Sequence, residues 1–439
     1  MKEDLDRYLE EAGLDGLLVL GPTSHNPAMS YFTGPVHVGW GALALRRGAP
    51  GVLYANDMER EEVARTGYRY GLLDWAAYVR QAGRDQQETT AIALEAILRG
   101  ADLTGRIQVV GLVDAGDTLA TFRRLERRLP GLTVVEFDRA ASPIHRARAT
   151  KDAQEVERIR RIGDVTVEVV GRVADFLGTQ STRQGFLTDR QGKPVTVGDV
   201  KQRIHLWLMQ LGAENPEGTI FAIGRDAGVP HNAGVAAMPI PVGQPIIFDI
   251  YPCEIGGGYF YDFTRTWCIG HAPDNVAAAH AEVVAAYDRA LPLTRSGAVA
   301  RDVQRSVCEF FEGRGHRTIM SDPSTQEGYV HSIGHGLGQE VHEYPNFSLQ
   351  HEPPDVLEAG HVVTIEPGLY YPERGFGVRV EDTLWISPDG PHVLAPYPMD
   401  LVLPLRRSRR APAKSAPSKS TGGPKKAKPR LVRRTRRGG

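Results

Sequence analysis

Short apolar runs alternate with amphipathic stretches over residues 1–141, a rhythm typical of an α/β domain. The apolar runs predict strands over 16–20, 51–55, 107–113 and 132–137, and the amphipathic stretches predict helices over 89–98 and 118–129. The second helix carries an apolar stripe made of Leu119, Phe122, Leu125 and Leu129. This first domain, placed at residues 1–145, contains no catalytic motif that we recognise.

A different pattern begins near residue 142. Residues 142–150 are predicted to form a Pro- and Arg-containing link, and Thr150 is predicted to cap a long helix with an apolar stripe of Val156, Ile159, Ile162 and Val165. Further helices are predicted over 199–211, 275–291 and 301–313, and strand-rich stretches over 219–267 and 361–403. Because these elements come in blocks, the second domain, placed at 152–405, is predicted to be α+β.

The charge of the chain is unevenly distributed. The whole sequence holds 52 Lys and Arg against 53 Asp and Glu, a net charge of −1. Residues 406–439 hold 14 of the basic residues and no acidic one, so the preceding 405 residues carry a net charge of −15. This basic tail is predicted to be disordered, because it can bury too little apolar surface to offset the entropy of ordering.

Composition narrows the class of protein. No run approaches the roughly 18 consecutive apolar residues of a membrane span, and the charged start, MKEDLDRYLEEAGLDG, differs from the apolar core of a secretory signal. The three cysteines, Cys253, Cys268 and Cys308, form no CxxC pair and argue against a disulfide framework. We therefore expect a soluble protein of the reducing cytoplasm, with no membrane partner.

Four carboxylates occupy equivalent places in two predicted hairpins. Asp249 and Asp262 flank a turn that contains three consecutive glycines, and Glu366 and Glu381 flank a later Glu-Arg-Gly turn. At the inner ends of apolar strands, four like charges would repel each other strongly in a low dielectric. Two divalent cations that take oxygens from both hairpins would neutralise them, so the pattern predicts a two-metal site.

One nitrogen ligand is available between the two hairpins. His331, His335 and His342 fall within twelve positions of a Gly-rich segment, although the whole chain has 14 histidines. Glycines on both sides of His335 allow the backbone to approach a crowded site. A single carboxylate or histidine in such a place is most often structural, and it is the joint pattern that indicates a functional site.

These motifs resemble those of the pita-bread metallopeptidases, specifically the branch that contains Xaa-Pro aminopeptidase (aminopeptidase P) and prolidase. The matching motifs are Asp249 with Asp262-Phe-Thr-Arg-Thr, His331-Ser-Ile-Gly-His-Gly-Leu-Gly, Val341-His342-Glu343, Thr364-Ile-Glu-Pro-Gly-Leu-Tyr and Val378-Arg-Val-Glu-Asp-Thr. The segments Gly16-Leu-Leu-Val-Leu and Ser30-Tyr-Phe-Thr-Gly are similar to the creatinase/prolidase N-terminal domain. The resemblance implies an RNase H-like α/β N-terminal domain, an α+β pita-bread catalytic domain and a disordered basic tail.

The resemblance also assigns roles to individual residues. It implies a dinuclear centre, most simply with Mn²⁺ and compatible with Co²⁺ or Zn²⁺, whose ligands are Asp249, Asp262, His335, Glu366 and Glu381. The catalytic group that it implies consists of Glu366, His342 and His231. The substrate-binding group consists of His331, Arg379 and Tyr370, and Arg379 is expected to lie beside the ligand Glu381.

The implied activity is hydrolysis of the N-terminal Xaa-Pro bond by an aminopeptidase, through a hydroxide shared between the two metal ions. Its substrates would be peptides with proline at position 2, and the protein would form a homodimer or larger homo-oligomer. A prolidase that cleaves Xaa-Pro dipeptides is the alternative. A non-catalytic protein- or nucleic-acid-binding member of the fold is a further one, because the tail at 406–439 suits contact with nucleic acid or another polyanion.

Overall fold

The computed structural model describes residues 4–83 and 85–406 of the chain. The elements of its N-terminal domain, in chain order, are α1 (Leu5–Glu11), β1 (Gly16–Gly21), α2 (Pro27–Thr33), β2 (Gly41–Arg46), β3 (Val52–Ala55), α3 (Arg60–Thr66), β4 (Arg69–Leu72), α4 (Trp75–Ala82), α5 (Gln86–Gly100), β5 (Gly105–Gly111), α6 (Ala115–Arg128), β6 (Leu132–Val134) and α7 (Pro143–Ala149). The six strands form one sheet in the order β4-β3-β2-β1-β5-β6. The β1–β2 and β2–β3 pairs are antiparallel and the other three pairs are parallel.

Both faces of this sheet are buried, which explains the continuous apolar run in β1. Leu17 and Val19 pack in a core with α1, α2 and α7, whereas Leu18 and Leu20 pack on the opposite face with α5 and α6. A strand that is covered on both faces needs apolar residues at every position rather than at alternate ones. The predicted α/β class of this domain is therefore confirmed by its layers.

Two local predictions for this domain are wrong. Residues 143–149, predicted as a link, form α7, because Ile144 and Ala147 are buried in the core beside α1. Leu119, predicted to face the core, is 55% exposed. The buried arc of α6 centres on Thr121, Phe122 and Leu125, and Leu119 lies outside it.

The second domain contains a longer series of elements. They are α8 (Ala153–Gly178), β7 (Ser181–Arg183), β8 (Phe186–Thr188), α9 (Val197–Gln210), β9 (Ala213–Glu214), β10 (Thr219–Ile223), β11 (Pro245–Ile250), β12 (Cys253–Glu254), β13 (Phe263–Ile269), α10 (Asp274–Ala290), α11 (Ala300–Glu312), β14 (His335–Gly336), β15 (Glu343–Asn346), β16 (Val362–Ile365), β17 (Gly368–Tyr371), β18 (Phe376–Arg379), β19 (Asp382–Ser387), β20 (Gly390–Val393) and β21 (Val402–Leu403). The two largest sheets have the orders β10-β11-β13-β21 and β15-β14-β16-β19-β20. The helices and strands thus form the α+β arrangement predicted from the sequence.

The long helix α8 begins with a capping box. The Asp152 carboxylate accepts the N–H of Gln154 and of Glu155, each at 2.9 Å, and the Glu155 carboxylate accepts the N–H of Asp152 at 2.8 Å. Asp152 therefore replaces the predicted cap Thr150, which instead forms an extended bridge with His361.

The two large sheets meet where the predicted site residues lie. Asp249 in β11 stands opposite Thr264 of β13, and Ile365 at the end of β16 stands opposite Asp382 at the start of β19. The N–H of Glu381 donates to the carbonyl of Thr264 at 2.9 Å, and this isolated antiparallel bridge joins the two sheets. This junction brings the two carboxylate-bearing strand pairs together, as the sequence predicted.

The turn after β12 depends on glycine. Gly256 and Gly257 have φ angles of +84° and +83°, a region that favours glycine. A Cβ on Gly257 would also lie 2.8 Å from the backbone nitrogen of His25, in the N-terminal domain. The turn thus packs closely against the first domain.

Of the helices within residues 4–83 and 85–406, none combines the length and the apolar character that crossing a bilayer requires. The basic tail predicted at 406–439 lies outside the described residues except for Arg406, whose N–H donates to the carbonyl of Gly178 at 2.8 Å. The domain boundaries proposed from the sequence stay predictions.

Candidate metal centre

Five side chains converge at the junction of the two sheets. Two lie in β11 and β14, and the other three lie directly before β13, directly after β16 and directly before β19. The five residues are Asp249, His335, Asp262, Glu366 and Glu381. Ligand atoms of Asp262, His335 and Glu381 all lie within 4.8 Å of one another. The structure therefore brings together all five residues that the resemblance named.

The imidazole of His335 presents a lone pair to this cluster. Its Nδ1 lies 3.1 Å from the carbonyl oxygen of Gly336, which can only accept, so Nδ1 carries the proton of the neutral ring. Burial, reinforced by His342, lowers the pKa of His335 to about 3, and the ring is neutral at physiological pH. The unprotonated Nε2 then faces two carboxylate oxygens, Asp262 Oδ2 and Glu366 Oε1, each at a distance of 3.6 Å.

Two carboxylate oxygens of the cluster lack a hydrogen-bond donor. Asp249 Oδ1 and Glu381 Oε1 are buried and have no hydrogen-bond partner among the residues that the structure describes. Burial, together with the neighbouring carboxylates, raises the pKa of Asp262 and of Glu381 well above the usual range, and burial raises that of Glu366 to about 8. The cluster thus consists of buried acceptor atoms, namely carboxylate oxygens and one imidazole nitrogen. Such a set of ligand atoms fits a divalent cation.

Arg379 forms a hydrogen bond with one of these carboxylates. Its Nη2 donates to Asp249 Oδ2 at 2.5 Å, a partner that was not predicted from the sequence. It reaches Glu381 through Thr264, whose hydroxyl accepts from Arg379 Nε at 3.2 Å and donates to Glu381 Oε2 at 2.7 Å. One guanidinium thus fixes two carboxylates of the cluster.

Tyr370 lies behind the cluster and not at its surface. Its side chain is fully buried, so the structure does not place it where it could contact a substrate. The Tyr370 hydroxyl accepts from Arg379 Nη1 and bonds His331 Nε2, both at 2.8 Å. Because His331 Nδ1 lies 2.7 Å from the carbonyl of Ser332, both nitrogens of that ring are fixed.

Two cavities open onto the cluster. The larger has a volume of about 600 Å³ and extends to Lys201 and Glu217, and the smaller, of about 370 Å³, extends to His331 and Arg139. The side chains of His231 and His342 line both cavities and are exposed. The ring of His342 lies 4.3 Å from that of His335, measured between centroids.

Some residues of this site were not singled out from the sequence. Thr264 had a detectable signal, because it lies two positions after Asp262 and shares its face of the strand. Arg139 had none, since it belongs to the N-terminal domain and reaches the smaller cavity only through the tertiary fold.

Comparison with known proteins gives two family matches. Residues 2–150 match the creatinase/prolidase N-terminal domain, and residues 157–388 match metallopeptidase family M24. The two matches together span almost all of the described residues, and they confirm the family and the two-domain fold predicted from the motifs.

Individual proteins agree with these matches. An Xaa-Pro dipeptidase of Pyrococcus furiosus is 24% identical over 395 residues, which cover 89% of this chain and 97% of the relative. An Xaa-Pro dipeptidase of Lactobacillus delbrueckii is 26% identical over 398 residues, covering 88% and 94%. The structure of an X-Pro aminopeptidase from Thermotoga maritima covers 90% of this chain and 99% of its own, with a TM-score of 0.70 and 22% identity. The chain belongs to metallopeptidase family M24, with a creatinase/prolidase N-terminal domain ahead of its catalytic domain.

Proposed function

We propose that this protein is an aminopeptidase that hydrolyses the N-terminal Xaa-Pro bond of peptides. The observation that carries the proposal is the lone pair of His335 Nε2 facing Asp262 and Glu366, at the base of cavities lined by His231 and His342. The relatives named Xaa-Pro dipeptidase and X-Pro aminopeptidase support the choice of proline after the cleaved bond.

Two divalent ions would be held by Asp249, Asp262, His335, Glu366 and Glu381. When bound, such ions polarise a carbonyl oxygen and lower the pKa of water. The donor set, mostly oxygen with one imidazole, favours Mn²⁺ and is compatible with Co²⁺ or Zn²⁺.

The side chains around this centre supply binding and proton transfer. Glu366 lines both cavities, so its carboxyl group can take up a proton and deliver it to the leaving imino nitrogen of proline. The exposed imidazole of His342 can donate an N–H to the carbonyl oxygen and stabilise the charge that develops there. We assign His231 to contact with substrate beside the reacting amide, and the fixed ring of His331 to the pocket for proline.

The proposal predicts cleavage of Xaa-Pro-Xaa tripeptides when Mn²⁺ is returned to chelated protein. The measurement compares such a tripeptide with an Xaa-Ala-Xaa tripeptide, an Xaa-Pro dipeptide and the amide of that dipeptide. We expect release of the first residue from every proline peptide and not from the alanine control. If no peptide is cleaved after metal is restored, the protein is instead a non-catalytic binding member of its fold.

A second candidate, Xaa-Pro dipeptidase, is favoured by one observation. Arg139 lines the cavity that also contains His331, and it is half-exposed there. Its Nη2 donates to Glu340 at 2.6 Å. A guanidinium that lines the cavity suits a substrate with a free carboxylate. Cleavage of the dipeptide acid but of neither its amide nor the tripeptide would select this candidate over the aminopeptidase.

The basic tail supports a separable proposal, contact with nucleic acid or another polyanion. With 14 Lys and Arg in 406–439 and no acidic residue, we expect the full chain to bind double-stranded DNA weakly. The affinity should fall by orders of magnitude between about 50 and 200 mM salt, because binding releases counterions. A chain that ends at residue 406 should not bind, and equal binding of both forms in a filter assay would contradict the proposal.

We also propose that the protein forms a homodimer or larger homo-oligomer, as the resemblance implies.

A further inference from the structure

A buried ion cluster joins the N-terminal domain to the segment that carries His342. The cluster consists of Arg148 and Lys151 on one side and of Glu343 and Glu340 on the other. The side chains of Arg148, Lys151 and Glu343 are 5%, 1% and 6% exposed. Arg148 Nη2 donates to Glu343 Oε1 and, at 2.8 Å, to Glu340 Oε2, while Lys151 Nζ donates to Glu343 Oε2 at 3.0 Å.

The carboxylate of Glu343 also organises its own turn. It accepts the backbone N–H of Gln339 at 2.9 Å and of Glu340 at 3.2 Å. A Cβ at Gly338 would lie 2.3 Å from this carboxylate, so a larger residue at position 338 would collide with it. Segment 338–343, which carries His342 next to Glu343, is therefore built around one buried anion.

The two cations keep that anion charged. Burial by itself disfavours the ionised carboxyl group, but Arg148 and Lys151 outweigh it and hold the pKa of Glu343 at about 2. Charge-assisted hydrogen bonds in a low dielectric are strong and directional. Removing Arg148 leaves the buried Glu343 with one cation instead of two, and we expect the turn to shift as a result.

We propose that Arg148 and Lys151 are positioning residues that set the place of the His342 imidazole through Glu343. The inference rests on the proposed function, because it requires His342 to act on the peptide carbonyl. The N-terminal domain then contributes to turnover as well as to the walls of the cleft. Arg148 is suited to this because it projects from α7, which packs against β15 and its first residue, Glu343.

The test is a double-mutant cycle of Arg148→Met and His342→Ala, with kcat and KM measured on an Xaa-Pro-Xaa tripeptide. In the wild-type background we expect Arg148→Met to lower kcat by about 10- to 100-fold with little change in KM, since small displacements of a catalytic group have effects of this size. In the His342→Ala background the same change should lower kcat less than about twofold, because the interaction is already lost. Arg148→Lys, which keeps the charge beside Glu343, should recover most of the lost activity.

A matched control separates positioning from stability. Arg158→Met breaks another Arg–Glu pair, which is only partly buried and in which Arg158 donates to Glu254 at 2.9 and 2.6 Å. This variant should lower the melting temperature without lowering kcat. The inference would be overturned if Arg148→Met lowered kcat equally in the wild-type and His342→Ala backgrounds. It would also be overturned if Arg148→Met left kcat unchanged in the wild-type background. If Arg148→Met fails to fold, the cycle is run with Lys151→Met and the same criteria. An inactive wild-type protein would instead refute the proposed function.

Discussion

Asp262→Asn is expected to reduce kcat/KM on an Xaa-Pro peptide by about 10³-fold or more. The carboxylate faces His335 Nε2 at 3.6 Å, and asparagine removes its charge while adding an N–H donor. That donor can hydrogen bond the lone pair that the metal needs, so both ligands are compromised by one substitution. A loss of several kcal/mol of transition-state stabilisation by the metal corresponds to a rate effect of this size.

Glu381→Gln should lower kcat/KM in the same way. Glu381 Oε1 has no hydrogen-bond donor within the described part of the chain, and the glutamine amide would remove the charge and place an N–H group at the metal centre. Metal content, measured on the purified variants by mass spectrometry, should fall together with activity. The control is Glu168→Gln on the exposed face of α8, which should leave kcat/KM within about twofold of wild type. Wild-type rates in Asp262→Asn would show that this centre is not the site of hydrolysis.

The convergence of the metal-centre residues could be predicted from the sequence because each lies in a local motif. Asp249 and Asp262 are 13 positions apart, and Glu366 and Glu381 are 15 positions apart. The pairing of β11 with β13 and of β16 with β19 brings each couple together. The alternating direction of side chains along paired strands then decides which face the carboxylates share. Both steps depend on local sequence, where pattern reasoning is strongest.

Partners that depend on the tertiary fold could not be predicted. Arg379 is two positions from Glu381, yet its guanidinium bonds Asp249 of β11, a strand that belongs to another sheet. Glu343 is bound by Arg148 of the N-terminal domain and by Lys151 of the connection that follows it. A charged residue in the sequence does not reveal whether it will be buried or solvated. The placement of Leu119 outside the core is a failure of the same kind, since only the packing of neighbouring elements decides the width of a buried arc.

Metal-free protein is expected to lose stability as the pH rises from about 7 to about 8.5. In the folded state the pKa of Glu366 is raised to about 8, and those of Asp262 and Glu381 are also raised, whereas unfolded carboxyl groups titrate near pH 4. The folded protein therefore binds more protons than the unfolded chain in this window, and its free energy of unfolding falls as the pH increases. Each carboxyl group that is protonated when folded contributes up to about 1.4 kcal/mol per pH unit.

The choice of window separates these carboxyl groups from the perturbed histidines and from Glu343. The three buried cysteines, whose pKa values burial raises, add a smaller decline of the same sign near pH 8.5. His331 and His335 have lowered pKa values, so they add stability as the pH rises towards about 6.5, but above that value they are neutral in both states. Glu343, with a pKa of about 2, is ionised in both states above about pH 5. Differential scanning fluorimetry with a chelator should therefore show the melting temperature falling by roughly 5–10 °C across the window. Added Mn²⁺ should remove most of this decline in melting temperature. Without metal, Glu366→Gln should make the decline shallower. A melting temperature that rises with pH would mean that the cluster is not a buried set of mutually repelling carboxylates.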